Sequence, residues 1–100
     1  MSTSNQSKID ILKPNTPADI LHSCAELLDK KGQDYNASGV SRDDYFPFGR
    51  MSYMQMIHIK YLRLRSLINQ DGSNFESIDD TLQDLINYAA IWAAHERKSK

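Results

Sequence analysis

The sequence predicts an all-α protein, a small three-helix bundle with a long loop between its first and second helices. Three observations carry that prediction. Apolar residues recur with helical spacing in three separate stretches, around residues 20–28, 51–68 and 82–92. Start and stop chemistry lies between them: Thr16-Pro17 ahead of the first, Gly32 after it, and Asp71-Gly72-Ser73-Asn74 between the second and third. No segment alternates apolar and polar residues as a strand would, and none repeats another.

Residues 1–13, rich in Ser, Asn and Lys, read as a mobile tail ahead of a single helical domain over 14–100. Thr16 suits the N-cap, Pro17 the first helical position and Asp19 the first turn, where negative charge meets the helix dipole. The first helix is then expected to run to about Lys31, with Ile20, Leu21, Cys24, Leu27 and Leu28 inward and His22, Glu26 and Asp29 wet. Gly32 is the expected stop.

Residues 33–49 combine turn chemistry with four aromatics, Tyr35, Tyr45, Phe46 and Phe48. Two expectations stand side by side: a lid or binding loop, and a strap pinned over the bundle by its rings. The second helix is expected over 51–69. Met54, Ile57, Tyr61, Leu64 and Ile68 share one face and Met51, Ile59 and Leu62 another, which makes this the central helix. The third is expected over 75–97, with Ser77 as cap, basic residues His95, Arg97 and Lys98 near its end, and Leu82, Leu85, Ile86, Ala89 and Trp92 inward.

One hundred residues with 40% apolar and 25% charged side chains make one globular domain. A formal charge of −1 argues against binding long nucleic acid or an anionic membrane surface, both of which favour a basic excess. No apolar run approaches the roughly 20 residues that span a bilayer. The first residues lack a hydrophobic signal core, so the cytoplasm is the expected location. Cys24 is the only cysteine, so no internal disulfide forms, and its apolar neighbours suggest an inert buried thiol. Phosphate-loop, CxxC, HExxH and nucleophile-elbow motifs are absent, and His22, His58 and His95 show no metal-ligand spacing.

Two helix faces carry candidate chemistry. Asp80, Asp84 and Asn87 recur at i, i+4 and i+7, so two carboxylates and an amide share one side of the third helix. Asp80 and Asp84 are spaced to share a divalent cation such as Mg2+, with Asn87 as a neutral ligand or substrate contact. The alternative is a plain solvated face. On the second helix, Met56, Lys60, Arg63 and Leu67 form one line, placing two cations among apolar residues. Held partly dry, Lys60 and Arg63 are strong anion binders; alternatively they form ordinary salt bridges with acids on neighbouring helices.

Three blocks, Lys31-Gly32-Gln33-Asp34-Tyr35, Lys60-Tyr61-Leu62-Arg63-Leu64 and the run from Asp79 to Ala89, resemble small phage and prophage proteins related to the MazG-like all-α nucleotide pyrophosphohydrolases. The resemblance implies a homo-oligomer built around a nucleotide site, in which paired acids on two helices bind Mg2+ that activates water for attack between the α- and β-phosphates. Asp84 matches the terminal acid of the second pair, and Asp80 stands where a further acid often lies. Thr81 replaces an expected Glu, and Lys60 and Arg63 stand where the first acid pair belongs. Such an exchange reverses the charge logic of a metal centre and suits direct phosphate contact.

The expected function is therefore nucleotide binding, with Lys60, Arg63, Asn87 and Tyr35 as ligand contacts, Asp80 and Asp84 as metal ligands, and Phe46 as a second ring able to stack on a base. Three outcomes remain open: a Mg2+-dependent nucleoside triphosphate pyrophosphohydrolase, a non-catalytic sponge for a nucleotide or cyclic nucleotide, and a helical interaction module. For a phage-encoded protein the location is the host cytoplasm.

Overall fold

The computed structural model describes residues 15–70 and 75–98, except the side chain of Tyr35. The expected tail over 1–13 and the turn at Asp71–Asn74 lie outside the described residues. Four helices, and no strand, appear among the described residues: α1 (Pro17–Ser38), α2 (Arg42–Tyr45), α3 (Arg50–Ile68) and α4 (Phe75–Lys98). The fold is all-α, as the periodicity implied.

The start of α1 follows its sequence signals. Thr16 Oγ1 accepts a hydrogen bond from Asp19 N at 3.1 Å, and Thr16 O accepts one from Ile20 N at 3.0 Å. Its end does not. The helix runs through Gly32 and stops after Ser38, at Gly39, whose φ of 77° lies in the left-handed region that glycine tolerates. A glycine inside a helix costs about 1 kcal/mol relative to alanine, which the turns on either side absorb. The expected loop over 33–49 is thus shortened at its start, where residues 33–38 belong to α1.

What remains of that connection is ordered locally. Ser41 starts α2: its N and Oγ donate to Asp44 Oδ2 at 2.9 and 3.1 Å, while Asp44 N donates to Ser41 O at 3.1 Å. This reciprocal cap lets a four-residue helix persist. Phe46 then stacks on Tyr53 of α3 (centroids 4.6 Å apart) and meets Tyr88 of α4 edge-on at 6.0 Å. The segment is a strap pinned by Phe46, while Tyr45 and Phe48 stay exposed. Gly49, with φ 55°, turns the chain into α3.

The packing corrects two expectations. The central helix is α4, which packs against α3 most extensively and against α1 next. Its inward face is also rotated from the apolar stripe. Thr81 and Asn87 are the buried positions, Leu85, Ile86 and Trp92 are half-buried, and Leu82 and Ala89 are exposed. Thr81 tolerates burial because its hydroxyl donates to Ser77 O at 2.7 Å, inside the helix; Ser77 is therefore a member of the first turns of α4 and not its cap. On α3 the inward positions are Tyr53 and Leu67, with Met56, Ile57, Lys60 and Leu64 half-buried, whereas Met54, Tyr61 and Ile68 are exposed.

Glu96 ties the end of α4 to the start of α3. Arg50 donates to it through Nε and Nη2 at 2.8 and 2.7 Å, and Trp92 Nε1 adds a third bond at 3.1 Å. The Arg50 and Trp92 hydrogen bonds lower the Glu96 pKa from 4.5 to about 2. Because the folded value is depressed, this contribution is present above pH 4.5 and is lost as pH falls through about 2. Thermal melts should therefore hold steady from pH 7 to about 5 and decline below it. In Glu96→Gln that acid limb should be shallower; an identical acid limb would show that the clamp contributes nothing.

Cys24 is buried on α1 as expected. Burial pushes its thiol pKa up and the charge of Asp79 adds to the shift, so it is a poor nucleophile. No helix among the described residues is long and apolar enough to cross a membrane.

Candidate functional site

A cavity of about 210 Å³ opens where α1, the strap and α4 meet. From α1 come Leu28 and Lys31, from the strap Arg42, Tyr45 and Phe46, and from α3 Met56. The central helix supplies Asp84, Asn87, Tyr88 and Ile91, four residues at helical spacing along one inward side. The local reasons for this arrangement are already visible. The capping box at Ser41 fixes the turn that carries Arg42, and the Phe46–Tyr53 stack holds that turn against α3 and α4. The continuation of α1 past Gly32 brings Lys31 to the rim.

Arg42 is half-buried. Its Nη2 donates to Leu28 O at 3.4 Å, and its side chain passes close to α1 at Gly32, where an added methyl would lie 3.8 Å from Nη2. It also borders two more open cavities. One of them reaches Asp43, His95 and Lys98, and the other runs along α1 past Gly32 and Gln33. A guanidinium at such a junction presents a planar fork suited to phosphate or carboxylate oxygens.

Asn87 is the most unusual group in the cavity. It is 5% exposed, and neither Oδ1 nor Nδ2 has a hydrogen-bond partner. Buried side-chain amides are nearly always satisfied, so this one lacks the partner such a group usually has. Asp84, beside it, forms an ion pair with Lys60 of α3 at 3.0 Å. Both partners are partly screened, with side chains 21% (Lys60) and 35% (Asp84) exposed.

The site residues expected from sequence therefore separate. Asp84 and Asn87 line the cavity, and Lys60 touches it through Asp84. Arg63 and Asp80 are exposed and are not among its lining residues. The side chain of Tyr35 lies outside the described residues. Among those residues no group of three or more His, Cys, Asp or Glu side chains could hold a metal.

Lys31 and Arg42 are the cations that sequence reasoning passed over. The signal was present for Arg42: Ser41 and Asp44, three apart, are a capping pair inside the presumed loop, and such a pair fixes the orientation of what it encloses. Nothing comparable marked Lys31, because Gly32 beside it looked like a helix end.

No curated protein and no solved structure gives a significant match to the chain. The family described as nucleotide modification associated domain 1 matches residues 31–93, a span that contains every polar residue lining the cavity. The chain belongs to the nucleotide modification associated domain 1 family.

Proposed function

We propose that this chain binds a nucleotide in the cavity between α1, the strap and α4, with Arg42 and Lys31 meeting phosphate and Asn87 orienting the ligand. The observation that carries this reading is the convergence of two cations, an unpartnered buried amide and aromatic walls on one cavity. The nucleotide-related description of the family supports it. Lys60 takes the role of holding Asp84 in place.

A resident Mg2+ does not fit the described side chains, because Asp84 is already paired with an ammonium and Asp80 lies exposed one turn away. In this reading Mg2+ accompanies the ligand's phosphates, which is how that ion commonly enters nucleotide sites. Two versions of the function follow: hydrolysis of a nucleoside triphosphate to monophosphate and pyrophosphate, and capture of a nucleotide or cyclic nucleotide without turnover. The Lys60–Asp84 pair favours capture, since the carboxylate nearest the cavity has its charge met within the protein.

The described chain also leaves Met54, Tyr61 and Ile68 exposed at intervals of seven on α3, beside exposed Met51, Ile59 and Leu62. From residue 54 to 68 that stripe runs about 21 Å at 1.5 Å per residue. A second copy of the chain is the occupant proposed for it, because a stripe on one straight helix is self-complementary about a two-fold axis.

One experiment addresses both points. Thermal shifts are measured across nucleoside mono-, di- and triphosphates and cyclic nucleotides, with and without Mg2+, and released pyrophosphate is assayed in the same samples. A true ligand at 100 times its Kd stabilises by about 2.7 kcal/mol. No shift with any nucleotide would end the binding reading, and pyrophosphate release would replace capture with hydrolysis. Light scattering on the free protein should give a mass above 11.5 kDa, and Tyr61→Glu should reduce it to one chain.

A further inference from the structure

The cavity also has a direction, and the inference drawn from it rests on the nucleotide reading above. Its polar groups differ in burial: Asn87 is buried, Arg42 and the Lys60-paired Asp84 are half-buried, and Lys31 is exposed. Asn87 carries a neutral amide whose donor and acceptor are both unmet and both covered in the free protein, so the side chain must turn into the cavity to meet a ligand, while positive charge lies toward the rim. A phosphate offers acceptors only, so it would leave Asn87 Oδ1 orphaned. A nucleobase edge offers a donor and an acceptor side by side, which is the pattern an amide complements. The cavity's walls include Phe46, Tyr88 and Ile91, flat or apolar surfaces suited to a ring face. At about 210 Å³ the cavity is smaller than the roughly 300–1,000 Å³ of clefts that enclose whole drug-sized ligands. It has room for the base end of a nucleotide and leaves the phosphates outside.

We infer that Asn87 reads the hydrogen-bonding edge of a nucleobase inserted into this cavity, with the phosphates directed outward to Arg42 and Lys31. Asn87 is then a specificity residue, and the protein discriminates among bases as well as between phosphorylated and unphosphorylated ligands. The unmet amide has a second consequence: in the free protein it supports nothing, so its removal should not unfold the chain.

The test is calorimetric titration of the full chain with the monophosphates of adenosine, cytidine, guanosine and uridine, and with inorganic pyrophosphate as a base-free probe. The wild-type protein should bind one nucleotide at least about tenfold better than the poorest, a span set by a good bidentate amide–base contact. Asn87→Leu should flatten that preference by about 10–100-fold, leave pyrophosphate binding within about twofold, and leave the melting temperature of the free protein unchanged or raised. Asn87→Asp presents two acceptors, so preference should move toward guanine, whose N1–H and N2–H donors lie side by side. Equal affinity for all four bases, or a preference that survives both substitutions, overturns the inference while leaving nucleotide binding intact. A large fall in the melting temperature of free Asn87→Leu with preference retained assigns the amide to structure and also overturns it. Failure of these monophosphates and of pyrophosphate to bind, together with no thermal shift from any di-, tri- or cyclic nucleotide, removes the nucleotide reading itself.

Discussion

Tyr53→Ala should lower stability by about 3–5 kcal/mol, the cost typical of deleting a large buried ring. Tyr53 is 1% exposed and joins three elements: it stacks on Phe46 of the strap, lies parallel to Trp92 of α4 at 6.3 Å, and meets His95 at 5.4 Å. At about 4–8 °C per kcal/mol for a domain of this size, the melting temperature should fall by tens of degrees. Tyr53→Phe keeps the rings in place and should cost within about 1.5 kcal/mol, the net worth of one hydrogen bond. Because Phe46 forms one wall of the cavity, ligand binding should weaken with Tyr53→Ala even at temperatures where the chain remains folded. Calorimetric melts of both variants decide the matter. A loss under about 1 kcal/mol for the alanine variant would mean that the strap is not anchored by this stack.

Arg42→Ala should weaken nucleotide binding by about 10–100-fold, since hydrogen bonds to a charged group contribute about 1.5–3 kcal/mol and 1.4 kcal/mol is tenfold. Arg42→Lys should recover only part of the loss, because a point charge replaces the planar fork. The free protein should keep its fold, because the strap is also held by Phe46 and the Ser41 cap. Arg63→Ala is the matched comparison. Arg63 is exposed and outside the cavity lining, so its removal should alter affinity by no more than about twofold, a surface-charge effect within about 0.5 kcal/mol. If Arg63→Ala weakened binding and Arg42→Ala did not, the phosphate site would lie on the outer surface of α3.

The helices themselves were legible because helical periodicity and cap chemistry act over a few residues. Thr16 and Pro17 start α1 as their local chemistry requires, and the spans of α3 and α4 differ from expectation by about a turn at most. Two neighbouring signals misled. Gly32 looked like a stop, but a glycine ends a helix only where the backbone turns left-handed, and that happens at Gly39. Ser77 looked like a cap, yet in place it accepts the Thr81 hydroxyl from within α4.

Of the candidate site, Asp84, Asn87 and Lys60 came from spacing alone, and they lie at or beside the cavity. Lys31 and Arg42 did not, because their roles depend on how far α1 continues and on how the strap folds back, contacts made between distant residues.

The chain's own order of residues determined that it is helical, where its three long helices begin, and that Asp80, Asp84 and Asn87 share a side of one of them. Periodicity states that an apolar stripe will be covered; it does not state by what. Only the tertiary arrangement decided that α4 turns Thr81, Asp84 and Asn87 inward and leaves Leu82 exposed. The physical reason is that three long helices cannot enclose every side of one another. A polar face whose groups find partners inside the chain, as Asp84 does with Lys60 and Thr81 with Ser77, can take the interior. The face left over stays exposed, and among the described residues the buried amide of Asn87, which lines the cavity, finds no partner.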